Sequence, residues 1–195
     1  VLSFGESNKS DIRAADVEYR EGYAHFDLVT PQGREAVGLR ILGMHQVANA
    51  LAAAAAATAL NVPIEVIASA LSTAEVTSKW RMELKDINGL LIINDAYNAN
   101  PESMLAALRT LALLSQERGG RSWAFLGTMH ELGNLSESAH AEIATAAAAL
   151  NIDHFVAIGN RQYQSTEPID MVSHSYNQQS DAYELFSHFE VGDVI

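Results

Sequence analysis

The side chains best suited to chemistry fall in a few short stretches of this 195-residue chain. Asp95 follows the apolar run Leu90-Leu91-Ile92-Ile93, and Asn98, Asn100 and Pro101 come directly after it. One carboxylate and two amides on a short loop suit a small polar ligand. An amide donates to a carboxylate and accepts from an ammonium, as an amino acid or dipeptide requires. The same residues also suit plain turn-making, and Asn100-Pro101 is a strong helix N-cap and first-turn pair. A second stretch, Gly127-Thr128-Met129-His130-Glu131-Leu132-Gly133, has paired glycines that let the backbone turn sharply or approach a ligand. His130 and Glu131, taken with His140, match no metal motif of known mechanism, and they read as two surface histidines and a helix-entry acid. No metal site is expected. Gly159-Asn160-Arg161 is a third polar stretch, in which Arg161 reads as solvated.

Two further candidates lie upstream. His45 and Asn49 are four residues apart at the start of a helical pattern, so they share one face. That end of a helix carries partial positive charge and free N–H groups, which suits a nucleotide or phosphate as well as ordinary capping. Arg81, just after Trp80, stands where it would reach a phosphate across a cleft between domains; judged alone, it reads as structural or solvated.

The elements that must position these residues follow from periodicity. Ala14–Arg20, Tyr23–Thr30 and Glu35–Leu42 alternate as strands, with Pro31-Gln32-Gly33 as a turn between the last two. Met44–Leu60 is alanine-rich without internal Gly or Pro and is expected to be a helix, and Pro63 opens a second one over Ile64–Leu71. Ser72–Trp80 lacks a period and reads as a linker, dividing the chain into residues 1–78 and 79–195. Arg81–Asp86 and Leu90–Asp95 read as strands joined at Asn88-Gly89. The strands Leu90–Asp95, Ser122–Leu126, His154–Ile158 and Met171–Ser175 then alternate with helices Pro101–Glu117, Ser136–Leu150 and Gln179–Phe189. That alternation predicts a Rossmann-like, mostly parallel α/β sheet, with ligands gathering outside the carboxyl ends of its strands. The first, second and third polar stretches all leave such ends.

Composition excludes several classes. The formal charge of −12 argues against non-specific nucleic-acid binding, which rests on Lys and Arg neutralising phosphates. No apolar run approaches the ~20 residues of a membrane span, so no membrane partner is expected. With no cysteine there is neither a disulfide nor a thiolate metal site, as suits a reducing cytosol. Val1-Leu2-Ser3-Phe4-Gly5 lacks the pattern of a signal peptide and reads as a strand already under way. There is no G-x-x-x-x-G-K-[ST] loop, G-x-G-x-x-G or nucleophile elbow. The residues alone thus lead to an α/β domain with a strand-end site, preceded by part of another domain.

Four stretches in order carry a resemblance. Gly43-Met44-His45-Gln46-Val47-Ala48-Asn49-Ala50-Leu51-Ala52-Ala53-Ala54 is similar to the G-x-H-N-x-x-N-x-x-A-A helix motif of the Mur ligase family. Lys79-Trp80-Arg81-Met82-Glu83 resembles that family's G-R-M-E segment. Asn94 to Met104 resembles D-[DS]-Y-N-A-N-P-x-S-M, and Gly127 to Gly133 resembles G-D-M-x-E-L-G. The last two are typical of the family's D-alanyl-D-alanine-adding branch. Gln46 stands for the usual first Asn, Thr128 for an acid and Lys79-Trp80 for a small lead-in. The chain stops where relatives usually continue into K-G-S-R.

The resemblance implies a cytoplasmic, monomeric ATP-dependent amide ligase of peptidoglycan synthesis. ATP would convert the carboxylate of UDP-N-acetylmuramoyl-tripeptide to an acyl phosphate, with Mg²⁺ neutralising phosphate charge, and the amine of D-alanyl-D-alanine would displace phosphate. By match, His45, Asn49, Arg81 and Asp95 would serve ATP, with Arg81 toward phosphate and Asp95 toward ribose as the catalytic pair. Asn98 and Asn100 would face the dipeptide. Residues 1–78 would be the carboxyl-terminal portion of the central ATP-binding domain, and 79–195 most of the domain for the incoming amino compound. The phosphate-binding loop, the Mg²⁺ ligands and the family's carbamylated lysine are expected outside these residues, so no ligase activity is expected of the chain alone. The alternatives are another Mur-type amide ligase, similar to folylpolyglutamate synthetase, and a non-catalytic α/β module that binds a small ligand.

Overall fold

The computed structural model describes residues 1–76, 78–163 and 171–195. Thr77, within the expected linker, and residues 164–170 lie outside the described residues. The chain divides into two compact units, Val1–Ser78 and Lys79–Ile195.

In the first unit, β1 (Arg13–Arg20), β2 (Tyr23–Thr30) and β3 (Gly33–Leu42) form an antiparallel meander in that order. Alternation sets its two faces. Along β2, Ala24, Phe26, Leu28 and Thr30 are buried while their neighbours are only partly covered. Helices α1 (Gln46–Ala59) and α2 (Ile64–Thr73) contribute to the same apolar core. In α1, Val47, Ala50, Leu51, Ala54, Ala55 and Thr58 are buried, following the 3.6-residue period, and the many alanines allow close approach. The helix begins two residues later than Met44, because His45 takes the N-cap position. Pro63 likewise sits at an N-cap, with ψ 142°, rather than inside α2.

The second unit is built on one sheet. β4 (Glu83–Ile87) and β5 (Leu90–Asn94) form an antiparallel hairpin through the left-handed Asn88 and Gly89. β6 (Trp123–Leu126), β7 (His154–Ile158) and β8 (Val172–Tyr176) are parallel and adjacent in sequence order. The two groups are joined by residues 193–195, a contribution too short to read from sequence. Leu91 N donates to Asp193 O at 3.0 Å and Ile195 N to Leu91 O at 2.8 Å. On the other side, Trp123 N donates to Val194 O at 2.8 Å and Val194 N to Arg121 O at 2.9 Å. The bridges of Val194 to Leu91 and to Ser122 are parallel. The spatial order is therefore β4, β5, residues 193–195, β6, β7, β8, with β4 alone antiparallel.

Two backbones cross closely where this last segment enters. A Cβ on Gly120 would lie 2.0 Å from the Gly192 carbonyl oxygen, so glycine is required there. Asp193, 2% exposed, locks the insertion. Its carboxylate accepts from Arg121 N and Nε (3.1 Å each), Arg121 Nη2 (2.7 Å), Trp123 Nε1 (3.0 Å) and Glu190 N (3.0 Å). Burial pushes this carboxyl up, but the Arg121 guanidinium and the surrounding N–H groups outweigh it and hold it below the usual range.

α3 (Pro101–Arg118) and α4 (Ser136–Ala149) pack against each other, and α3 meets β6. Trp123, Phe125, Val156 and Ile158 form a cluster with Ala182, Leu185 and Phe189. The last segment, Gln179–His188, is a 3₁₀ helix rather than the expected α-helix, with Gln178 and Asp181 forming a reciprocal capping box at its start. No described helix is long and apolar enough to cross a membrane.

Candidate functional site

Because β5, β6 and β7 run the same way, the segments after Asn94, Leu126 and Ile158 leave one edge of the sheet. This is the carboxyl edge at which open α/β sheets place ligands.

At the β5 exit, Asp95 is half-buried and its Oδ1 accepts from Met82 N at 3.1 Å. That bond holds an irregular turn. Trp80 and Met82 both adopt left-handed φ (61° and 50°), Trp80 N donates to Glu83 Oε1 at 2.9 Å, and Tyr97 N to Trp80 O at 3.0 Å. Arg81 is therefore not on a strand, as its neighbours' pattern suggested, but is carried on a turn just before β4. Its guanidinium lies 4.2 Å from the centroid of the Tyr97 ring, a cation–π contact worth about 0.5–1 kcal/mol at an exposed site. Arg81, Asp95 and Tyr97 thus form one exposed or half-exposed constellation. Tyr97 escaped the sequence reading, which took it only as part of a motif.

The amides serve local structure first. Asn98 Oδ1 accepts from Ala99 N at 2.9 Å and Asn94 Oδ1 from Ala96 N at 3.3 Å. Asn100 caps α3: its Oδ1 accepts from Ser103 N at 2.9 Å, while Asn100 N donates to Ser103 Oγ at 3.1 Å. The NH₂ groups of Asn98 and Asn100 keep their donors on exposed side chains.

Near the β6 exit, one residue of α4 differs from expectation. His140 is not on the surface; it is fully buried. Its Nε2 receives Met129 N at 3.0 Å and approaches Asn160 Nδ2 at 2.9 Å, and its Nδ1 lies 2.6 Å from Ser136 O. The signal was present in the sequence: His140, Ile143, Ala144 and Ala147 are all buried at helical spacing along α4. His130, Glu131 and Arg161 are exposed. Among the described residues no group of three or more His, Asp or Glu side chains could hold a metal ion.

In the first unit, His45 and Asn49 are exposed and flank Gln46. Gln46 Nε2 is 2.9 Å from His45 Nε2, and Asn49 Nδ2 donates to Gln46 Oε1 at 3.0 Å. The substituted glutamine is therefore the hub that orients both candidates. The first turn of α1 carries no acidic residue.

A parallel sheet with a polar carboxyl edge, preceded by a β-meander and an alanine-rich helix, has clear relatives. Residues 80–195 match the family described as "Mur ligase, glutamate ligase domain", and residues 1–57 match "Mur ligase middle domain". The chain belongs to the Mur ligase family. Its relatives include the UDP-N-acetylmuramoyl-tripeptide–D-alanyl-D-alanine ligases of Mycobacterium tuberculosis (strain ATCC 25618 / H37Rv) and Bacillus subtilis (strain 168). They are 37% and 39% identical over 82% and 80% of this chain, and the matches cover 32% and 34% of those proteins. A crystal structure of MurF from Acinetobacter baumannii superposes with a TM-score of 0.84 at 32% identity, over 99% of this chain and 42% of that one. The chain spans about a third of the length of the curated relatives it matches.

Proposed function

We propose that this chain is part of an ATP-dependent amide ligase that joins D-alanyl-D-alanine to UDP-N-acetylmuramoyl-tripeptide in the cytoplasm, as a monomer. Residues 1–78 would supply the end of the ATP-binding middle domain and 79–195 most of the domain for the incoming amine. The observation that carries the reading is the stretch from Asn94 at the end of β5 to Met104 in α3, which leaves the carboxyl edge of the sheet with Asp95 and Arg81 tied into one turn. Support comes from the names of the relatives, which agree over four-fifths of the chain.

In this reading the tripeptide carboxylate is activated by ATP as an acyl phosphate. The dipeptide amine attacks it, and the tetrahedral intermediate expels phosphate. Mg²⁺, when bound, would neutralise phosphate charge, held by ligands that this reading places in the rest of the full-length enzyme. Arg81 would meet phosphate oxygens, its planar guanidinium suited to bidentate contact. Asp95 would accept from ribose hydroxyls. Asn49, oriented by Gln46, would meet the adenine side of ATP, with His45 in support. The NH₂ groups of Asn98 and Asn100 would donate to the dipeptide carboxylate, since their carbonyl oxygens are used locally.

The test is phosphate release by the full-length protein and by the 195-residue chain. Full-length protein is expected to release phosphate only when ATP, the UDP-tripeptide and the dipeptide are all present, and the chain alone to release none. Turnover by the chain alone, or full-length turnover that ignores the dipeptide, would refute the proposal.

A further inference from the structure

Two buried side chains fasten the loops of the carboxyl edge to one another. Tyr163 is 8% exposed, and burial pushes its phenol far above the usual tyrosine range, so it remains a hydrogen-bond donor. Its hydroxyl donates to Gly127 O, in the β6-exit loop, and approaches Met104 Sδ in the first turns of α3 at 3.8 Å. Its ring meets Phe155 of β7 and stands edge-on to His140 of α4, with centroids 4.7 Å apart.

His140 makes the second fastening. A backbone N–H can only donate, so the Nε2 that faces Met129 N carries a lone pair and no proton. Asn160 Oδ1 is taken by Gln162 N at 2.8 Å, which turns the Asn160 NH₂ toward the same Nε2. Nδ1, 2.6 Å from Ser136 O, must then carry the hydrogen. The imidazole is a neutral Nδ1–H tautomer on which one donor from the β6 exit and one from the β7 exit converge. Gly127 is exposed, and nothing lies within 4 Å of the place a Cβ would occupy there, so the loop is braced from beneath and open above.

We propose that His140 and Tyr163 are positioning residues. By fixing the β6-exit and β7-exit loops to each other and to the start of α3, they set the shape of the edge that receives the amine substrate. This rests on the function proposed above. A rigid, pre-organised site lowers the ordering penalty of binding, so loosening the brace should raise the KM for the dipeptide while the KM for ATP stays within twofold. Loss of one hydrogen bond corresponds to about a three- to tenfold rise.

The test uses Tyr163→Phe, which keeps the ring and removes the hydroxyl, with His140→Phe and the conservative His140→Gln. Hydrogen exchange on the 195-residue chain reads the brace whatever the substrate is. Both Phe variants should speed exchange across residues 127–131 and 159–162 together and leave β6 and β7 protected. Kinetics on the full-length protein reads the role, with His140→Gln recovering part of the lost dipeptide affinity, because its amide oxygen can accept from Met129 N. Unchanged exchange in both Phe variants would overturn the brace. Faster exchange with an unchanged dipeptide KM, or equal rises in the KM for ATP and dipeptide, would overturn the positioning role. A wild-type protein indifferent to the dipeptide would overturn the functional reading itself, and the assigned substrate with it.

Discussion

Replacing Asp193 with alanine should release the strand that joins the two halves of the second unit's sheet. The carboxylate gathers five N–H contacts from Arg121, Trp123 and Glu190. The three donors left behind without an easy substitute are Trp123 Nε1, on a side chain that is 1% exposed, and the backbone N–H groups of Arg121 and Glu190. A buried donor without a partner costs roughly 1–3 kcal/mol, and less where water can enter. The Arg121 side chain is 35% exposed and retains Glu190 at 3.3 Å, so little is charged to it. The sum is about 3–5 kcal/mol, the range seen when one partner of a buried pair is removed. For a unit of this size that is a fall in Tm on the order of 10–20 °C.

Both tryptophans of the chain, Trp80 and Trp123, lie in the second unit, so tryptophan fluorescence, excited selectively, reports on that unit. The sign with pH is fixed as well. A carboxyl whose folded-state pKa is depressed contributes stability above its unfolded pKa of about 4, and loses it as pH falls through the lower folded value. The gap between wild type and Asp193→Ala should therefore be full at pH 7 and narrow below about pH 4. A Tm shift under about 3 °C at pH 7, or a gap that widens in acid, would refute the lock.

His154 stacks on Trp123 with ring centroids 3.6 Å apart, and burial, with Arg121 and His174 nearby, pushes its pKa below the usual histidine value. The unfolded chain therefore binds the proton first, and stability should fall as pH drops below about 6.5. His154→Phe should flatten that part of the stability–pH curve measured by urea unfolding, and an unchanged curve would count against the stacking account. Asn100→Ala should lower the stability of the second unit by about 1 kcal/mol through loss of the cap, measured the same way, and no loss would contradict the capping box.

How much of this was legible depends on how local the cause is. The strands around Phe26, Leu91 and Val156 and the helices through Leu51 and Leu108 announce themselves by period, and the βα alternation gave the α/β class. The turn that carries Arg81 did not, because Trp80 and Met82 adopt left-handed φ without being glycine, and Met82 N is held by Asp95 on the next strand's exit rather than by a neighbour in sequence. The segment 193–195 was invisible as a strand, since three residues have no period and their partners lie some 70 to 100 positions away. His140 could have been found, because it lies on the buried stripe of α4, but histidine's usual place at the surface hid it. In the site, the sequence brought out Asp95, Asn98 and Asn100 as one stretch and Arg81 as a separate candidate upstream of it. It did not show that Asn100 spends its carbonyl on a cap, or that Tyr97 lies under Arg81.

The most direct trial of the account is to offer the full-length protein ATP, UDP-N-acetylmuramoyl-tripeptide and an equimolar mixture of D-alanyl-D-alanine and glutamate, and to weigh the product by mass spectrometry. The account predicts one product, the tripeptide extended by two alanines. A product extended by glutamate, in single or repeated units, would contradict it and favour a ligase of the folylpolyglutamate type.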